Sequence, residues 1–281
     1  GGDLSRSFSS GTSLTVNFNS ASGQLTLSQN GVVIYMGGDF SLRRHSTSGV
    51  NGIMIAQARE SGNPYPGDLS FQAVKQSGGS YKLYVIAHVY IEDYLYGVVP
   101  YEMGNSSNVE ALKAQAVAAR TYALNKGPTA NHPDADLCTD YNCCQAWIAR
   151  ADAQSNWGDR AVTYTNKITA AVAETGNQVI LYEGQLIDAV FHSSSASATQ
   201  DAVEVWGNSV PYLQSVDSPE GENVPNYQSQ ATISSQEFQD LFLEARPEAD
   251  LSGDPSGWFS QPVENSAGGV ASVDLGGVTL T

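Results

Sequence analysis

The stretch Glu92–Leu124, "EDYLYGVVPYEMGNSSNVEALKAQAVAARTYAL", decides how this chain is read. Its second half has helical periodicity. At 100° per residue Val109, Leu112, Ala116, Val117, Ala119, Ala123 and Leu124 share one wide face, so a helix from Val109 to Lys126 buries that face against the body of the protein. Ser107 and Glu110 have the Ser-x-x-Glu spacing of a capping box at its start, and Gly127-Pro128 stops it. Arg120 falls in the middle of the apolar face, about 20° from Val109, and Lys113 lies near it. A buried guanidinium demands an anionic partner. That partner is either a structural carboxylate within the core or something in a cleft that also holds Glu102. Glu102 precedes the helix in an apolar setting of Tyr96, Val98, Val99, Pro100, Tyr101 and Met103, where a carboxyl resists ionisation, as a general acid requires. Taken alone, it reads first as a solvated loop carboxylate.

Outward from this stretch the character changes. Before Ile91 the chain reads as short strands, "SLTVNF", "GQLTLS", "VVIYM", "DLSFQAV" and "YKLYVIAHVYI", separated by Gly, Ser and Asn clusters. After it, "NKITAAVAETG" reads as a helix, and "QVILY" and "QLIDAVFHSSS" as two strands around the turn "EG". Ser234 and Glu237 offer a second capping box before "FQDLFLEA", and "GGVASVDLGGVTLT" returns to strand character. No repeat and no long linker divides the chain. The expectation is an α+β fold: a β-rich N-terminal part plus helices packed on mixed or antiparallel sheet, with a metal-clamped loop. A tail over 1–14 precedes a single domain over 15–281, with a β-rich lobe to about 91 and a motif-bearing lobe from about 92.

Composition limits the function. The 281 residues carry 29 Asp and Glu against 13 Lys and Arg, a formal charge of -16, which argues against nucleic acid as a partner. No run reaches the roughly 18 apolar residues of a membrane span, and "GGDLSRSFSSG" lacks a signal peptide's charged start and apolar middle, as would a chain that follows a removed signal or anchor. No Gly-x-Ser-x-Gly elbow points to a Ser-His-Asp hydrolase. The three cysteines fall within seven positions and cannot staple distant segments. With His132, the set Cys138, Cys143 and Cys144 offers three thiolates and an imidazole within thirteen residues, which suits tetrahedral zinc. Four protein ligands leave no position for a reactive water, so such a metal is structural and clamps its loop. A local disulfide with one odd thiol is the alternative.

Three separate motifs resemble one family. "EDYLYGVVPYEM" with "EALKAQAVAARTYAL", then "CTDYNCCQAW", then "LIDAVFHSSS" with "VWG" and "PYLQSVDSP", are similar in kind and order to those of the SpoIID/LytB family, the stage II sporulation protein D and amidase-enhancer domain of bacterial cell-wall remodelling. The resemblance spans roughly Lys82 to Pro219. It implies a peptidoglycan lytic transglycosylase that acts outside the cytoplasmic membrane on denuded glycan strands, with Glu102 as its acid, and a zinc held in the cysteine loop by two Cys and two His. Here Cys143 stands where the family often has His. Lys113 and Arg120 match basic positions of the motif and are expected to bind substrate, as are His192, Ser193, Ser194 and Ser195 at the end of the expected strand. Ala196, Ser197 and Val203 depart from the Gly-Gly and Glu of the family pattern. In the amidase-enhancer branch the domain resembles a wall-binding accessory that stimulates a separate amidase, which is the rival expectation.

Overall fold

The computed structural model describes residues 5–45, 52–56, 64–104, 106–195, 198–218, 228–265 and 267–281. It divides into two compact units, Gly1–Val190 and Phe191–Thr281. Every strand pairing in both is antiparallel and the helices are segregated from the strands, which is the α+β class expected.

The first unit opens with β1 (Thr15–Phe18), β2 (Leu25–Gln29) and β3 (Val32–Gly37), paired in that order. Asn30 and Gly31 join β2 to β3, both at positive φ (52° and 79°), the conformation a two-residue hairpin turn requires and Asn-Gly supplies. A second sheet orders β4 (Phe40–Leu42), β7 (Gly67–Lys75) and β8 (Tyr81–Val89), while β5 (Ile53–Met54) and β6 (Pro64–Tyr65) form a short pair. Alternation along β7 sends Leu69 and Phe71 into a core with Leu25, where Phe40 stacks on Phe71 at 4.8 Å between ring centroids.

The strand expected to continue to Ile91 ends at Val89, and α1 runs from Ile91 to Glu102. Val98, Val99 and Pro100 are poor helix formers, and Pro100 removes the amide that would bond the Tyr96 carbonyl. Packing overrides this preference. Leu95, Val98 and Val99 are wholly buried against α2 (Val109–Asn125) and α4 (Ala161–Glu174), each contributing about 1.5–3 kcal/mol of apolar burial. Ala116 and Ala119 of α2 and Ala171 of α4 are small enough for the helices to approach closely. Leu124, expected on this face, is half exposed in the last turn of α2. The cap of α2 is also shifted by one residue: Asn108, not Ser107, accepts the Glu110 amide (2.9 Å), and the Ser107 carbonyl instead accepts from Lys167. Between α2 and α4 the chain forms the cysteine loop and α3 (Arg150–Trp157).

Thr121, fully buried in α2, donates its hydroxyl to the Val117 carbonyl (2.7 Å) and accepts the Ile180 amide (3.0 Å), tying α2 to the hairpin of β9 (Leu181–Tyr182) and β10 (Gln185–Leu186). Glu183 and Gly184 form its tight turn. The strand expected to run on to Ser195 stops at Leu186.

The second unit contains α5 (Ala202–Trp206), α6 (Ser235–Ala245) and the sheet β11 (Val263–Glu264), β12 (Val270–Leu275), β13 (Val278–Leu280). Ser234 caps α6 by accepting the Glu237 amide at 3.1 Å, as its spacing predicted. Leu251, Trp258 and Leu275 form its core with Phe238 and Phe242 of α6.

Candidate active site and metal-ligating loop

Glu102 is not on a loop: it is the last residue of α1, half-buried, four residues beyond the wholly buried Val98. Its Oε1 accepts the backbone amide of Ala146 at 2.9 Å, and Oε2 has no hydrogen-bond partner among the described residues. The small cavity found in this unit is lined by Tyr96, Arg150, Trp157 and Thr165, and Glu102 is not part of its wall. The Glu102 side chain is half-exposed at the C-terminal end of α1.

Ala146 belongs to a segment laid along α1. The Tyr94 hydroxyl donates to Gln145 Oε1 (3.3 Å), the Ile148 amide donates to the Gly97 carbonyl (3.2 Å), and the Trp147 indole covers Gly97 so closely that a Cβ there would lie 2.1 Å from Nε1. Tyr65 of β6 also stacks on Trp147, at 6.0 Å and 7°. Burial, aided by the nearby Cys144 sulfur, pushes the Tyr94 phenol well above its ordinary range, so it acts here as a neutral donor.

The same segment begins at the cysteine loop. The ligand atoms of His132, Cys138, Cys143 and Cys144 all lie within 4.8 Å of one another, with His132 Nε2 3.2 Å and Cys143 Sγ 3.9 Å from Cys144 Sγ. Zinc–sulfur bonds of about 2.3 Å in a tetrahedron put two sulfurs about 3.8 Å apart, so the donor set fits a single ion. His132 Nδ1 meets the Ala135 carbonyl at 2.8 Å, which directs Nε2 toward the thiols, the second-sphere contact that metal-bound imidazoles need. The three cysteines are free rather than disulfide-bonded. Burial pushes the Cys144 thiol up to about 11, while the Asn131 side-chain amide, 3.3 Å from its sulfur, holds Cys143 below its usual value. These residues could hold a metal ion. The sequence had already grouped them.

The two basic positions are differently placed. Arg120 is 1% exposed and uses all five of its N–H donors: Nε and Nη2 reach the two carboxylate oxygens of Glu92 (2.9 and 2.8 Å), and the rest reach the carbonyls of Ala116, Gln178 and Val172. This is the structural pair that the buried position required, made with the first turn of α1, and no donor remains for a sugar. The expected direction toward Glu102 is corrected by this geometry, because the hairpin places the start of α1, not its end, beside Arg120. Lys113 lies between Glu110 (2.8 Å) and Glu174 (2.6 Å), and these hydrogen bonds, Glu110 first, raise its ammonium above the usual range. His192, Ser193, Ser194 and Ser195 lie in the second unit; His192 and Ser193 are exposed, and the buried Ser195 hydroxyl has no hydrogen-bond partner among the described residues. Ala196 and Ser197 lie outside the described residues. Glu92, Tyr94, Gln145 and the Ala146 amide were not singled out from sequence. The Cys-Gln-Ala of the loop motif is the available signal for this segment, and its sulfurs alone point to a metal.

The site thus joins a helical hairpin, whose first helix ends in Glu102, to a loop of thiols and an imidazole. The stage II sporulation protein family (SpoIID) matches residues 80–182, which run from β8 to β9 and include all of these elements. The chain is 36% identical over 157 residues to stage II sporulation protein D of Bacillus subtilis, covering 55% of this chain and 46% of that one, with the same figures for the protein of that name from Bacillus amyloliquefaciens. It is 33% identical over 179 residues to the amidase enhancer of Bacillus subtilis, covering 64% of this chain and 21% of that protein. Residues 80–182 are thus similar to the SpoIID family, and the chain shares this similarity with stage II sporulation protein D and the amidase enhancer. It spans less than half the length of each of these relatives.

Proposed function

We propose that this chain is a lytic transglycosylase of the bacterial cell wall, cleaving denuded glycan strands of peptidoglycan to 1,6-anhydromuramoyl ends outside the cytoplasmic membrane. The observation that carries the reading is Glu102, a single carboxyl at the family's Pro-x-Glu-Met position with one oxygen fixed and the other open. Glycosidases that use water need a second carboxylate as nucleophile or base. A lytic transglycosylase does not, because the C6 hydroxyl of the muramoyl sugar is the nucleophile. Glu102 first gives its proton to the leaving glycosidic oxygen as the bond from C1 breaks. As carboxylate it then takes the proton of the C6 hydroxyl as the C6–O–C1 bond closes. Half-exposure at a helix end suits a long polymer, which cannot enter a closed pocket. Lys113 in the first unit and, in the second, His192, Ser193, Ser194 and Ser195 are each candidates for contacts to the saccharide, and Arg120 is assigned to the fold.

The metal of this reading is one zinc ion bound by His132, Cys138, Cys143 and Cys144, and its chemistry is structural: saturated by four protein ligands, it fixes the loop and activates no water. No helix among the described residues is long and apolar enough to cross a membrane.

The test is digestion of denuded glycan by the pure protein, with products weighed by mass spectrometry. Anhydro-ended fragments, absent with Glu102→Gln, support the enzyme; undiminished release by Glu102→Gln removes Glu102 from the chemistry. The second reading, a wall-binding accessory that stimulates a cell-wall amidase, is favoured by the similarity to the amidase enhancer and by the formal charge of -16, which suits a basic protein partner. It predicts glycan binding without cleavage and a faster amidase when the two are mixed.

A further inference from the structure

We infer that the backbone amide of Ala146 is the positioning group for Glu102, that it assigns the proton transfers to Oε2, and that the metal-ligating loop is its mount. The inference rests on the reading of Glu102 as the acid. The 2.9 Å bond from Ala146 to Oε1 is made by a group that has no rotamer freedom and no proton to exchange with substrate, so it fixes one oxygen and the plane of the carboxyl. The reacting proton then sits on Oε2, which no described residue engages. In the first step the Oε2–H bond breaks and the glycosidic oxygen gains the proton. In the second Oε2 recovers a proton from the C6 hydroxyl. Oε1 keeps the same amide throughout, and that bond strengthens while the carboxylate is charged, because an ionised acceptor makes the stronger hydrogen bond.

An amide can position an acid only if its own chain is fixed. Ala146 is buried, and each residue around it is held by a different contact. Cys144, two positions before it, is in the metal set; Gln145 is held by Tyr94; Trp147 packs on Gly97 and stacks with Tyr65; and the Ile148 amide is held by the Gly97 carbonyl. Three of these contacts are to α1, the helix that ends in Glu102. The metal set is the only one of them that ties the segment to the far side of the loop, through His132 and Cys138. The loop therefore acts on catalysis through geometry, by holding one N–H against one oxygen.

Residue-resolved amide hydrogen exchange on the full chain tests this apart from activity. In the zinc-loaded protein Ala146 exchanges slowly. Glu102→Gln, whose side-chain carbonyl still accepts, keeps it slow, whereas Glu102→Ala speeds exchange at Ala146 about tenfold or more and leaves Ile148 unchanged. Glu102→Asp, one methylene shorter, does the same and serves if the alanine variant does not fold. Removing zinc with a chelator speeds Ala146 while the amides of β2 stay protected. Equal Ala146 rates in wild type and in the alanine or aspartate variant overturn the positioning role. Equal rates with and without zinc, or loss of β2 protection together with Ala146, overturn the mount. If Glu102→Gln still releases anhydro products, the transglycosylase reading fails whatever the exchange shows.

Discussion

The pair Arg120–Glu92 gives the sharpest test of how this hairpin is held. Replacing Arg120 by Met removes a guanidinium that is 1% exposed and leaves Glu92 without its partner; the Glu92 side chain is 35% exposed, so water recovers part of its solvation. The Ala116 and Val172 carbonyls retain other partners, the helix amide at position 120 and the Thr175 hydroxyl, and the Gln178 carbonyl loses its donor but belongs to an exposed residue that water can reach, so the orphaned carboxylate dominates the cost. Breaking one side of a buried pair costs about 3–5 kcal/mol, and the exposure of Glu92 places Arg120→Met near the lower bound, about 3 kcal/mol. Glu92→Gln is expected at the upper bound, since it strands a charge with no access to water. The double change Glu92→Gln with Arg120→Met should cost less than the two single changes together by at least about 1 kcal/mol, because neither charge is then left alone. Urea unfolding reads this directly: at a slope of about 2–3 kcal/mol per molar, 3 kcal/mol moves the midpoint by about 1 M. Glycan binding should be retained by whatever fraction of Arg120→Met stays folded. A variant with an unchanged midpoint and lost glycan binding would refute the structural assignment and return Arg120 to the substrate.

Asn108→Ala should lower stability by about 1 kcal/mol in urea unfolding, whereas Ser107→Ala should cost no more than a few tenths, since only Asn108 caps α2. Gly97→Ala places a methyl into the Trp147 indole and should lower the melting temperature, with a cost of about 1–3 kcal/mol, and speed exchange of the Ile148 amide; an unchanged melting curve would show that the indole moves freely. Metal analysis should find one zinc per chain and none after Cys138→Ser. Because bound thiols must lose their protons and burial holds Cys144 up at about 11, zinc uptake should release protons and its affinity should weaken as pH falls; binding that is independent of pH between 6 and 8 (values near the ordinary thiol and imidazole ranges, about 6.5–8.5) would contradict a thiolate site.

Much of this domain is legible from sequence because its signals are local. Apolar spacing located α2, Glu-Gly located the turn between β9 and β10, and the spacing of His132, Cys138, Cys143 and Cys144 assembled a ligand set within one loop. The Ser234 cap was equally visible, since its partner is three residues away. Periodicity also placed Arg120 in the buried face and so required an anion, but it could not choose between Glu92 and a cleft. What tertiary structure decided are the pairings that span the chain. The α1 helix forms against its own propensities because α2 and α4 bury Leu95, Val98 and Val99, so Glu102 ends a helix instead of lying on a loop. The Arg120 partner is 28 residues away and the Ala146 amide is 44 residues from Glu102. A backbone N–H carries no mark in the sequence, because every residue but proline has one. Only the folded path of residues 144–148 along α1 brings that particular amide to that particular oxygen.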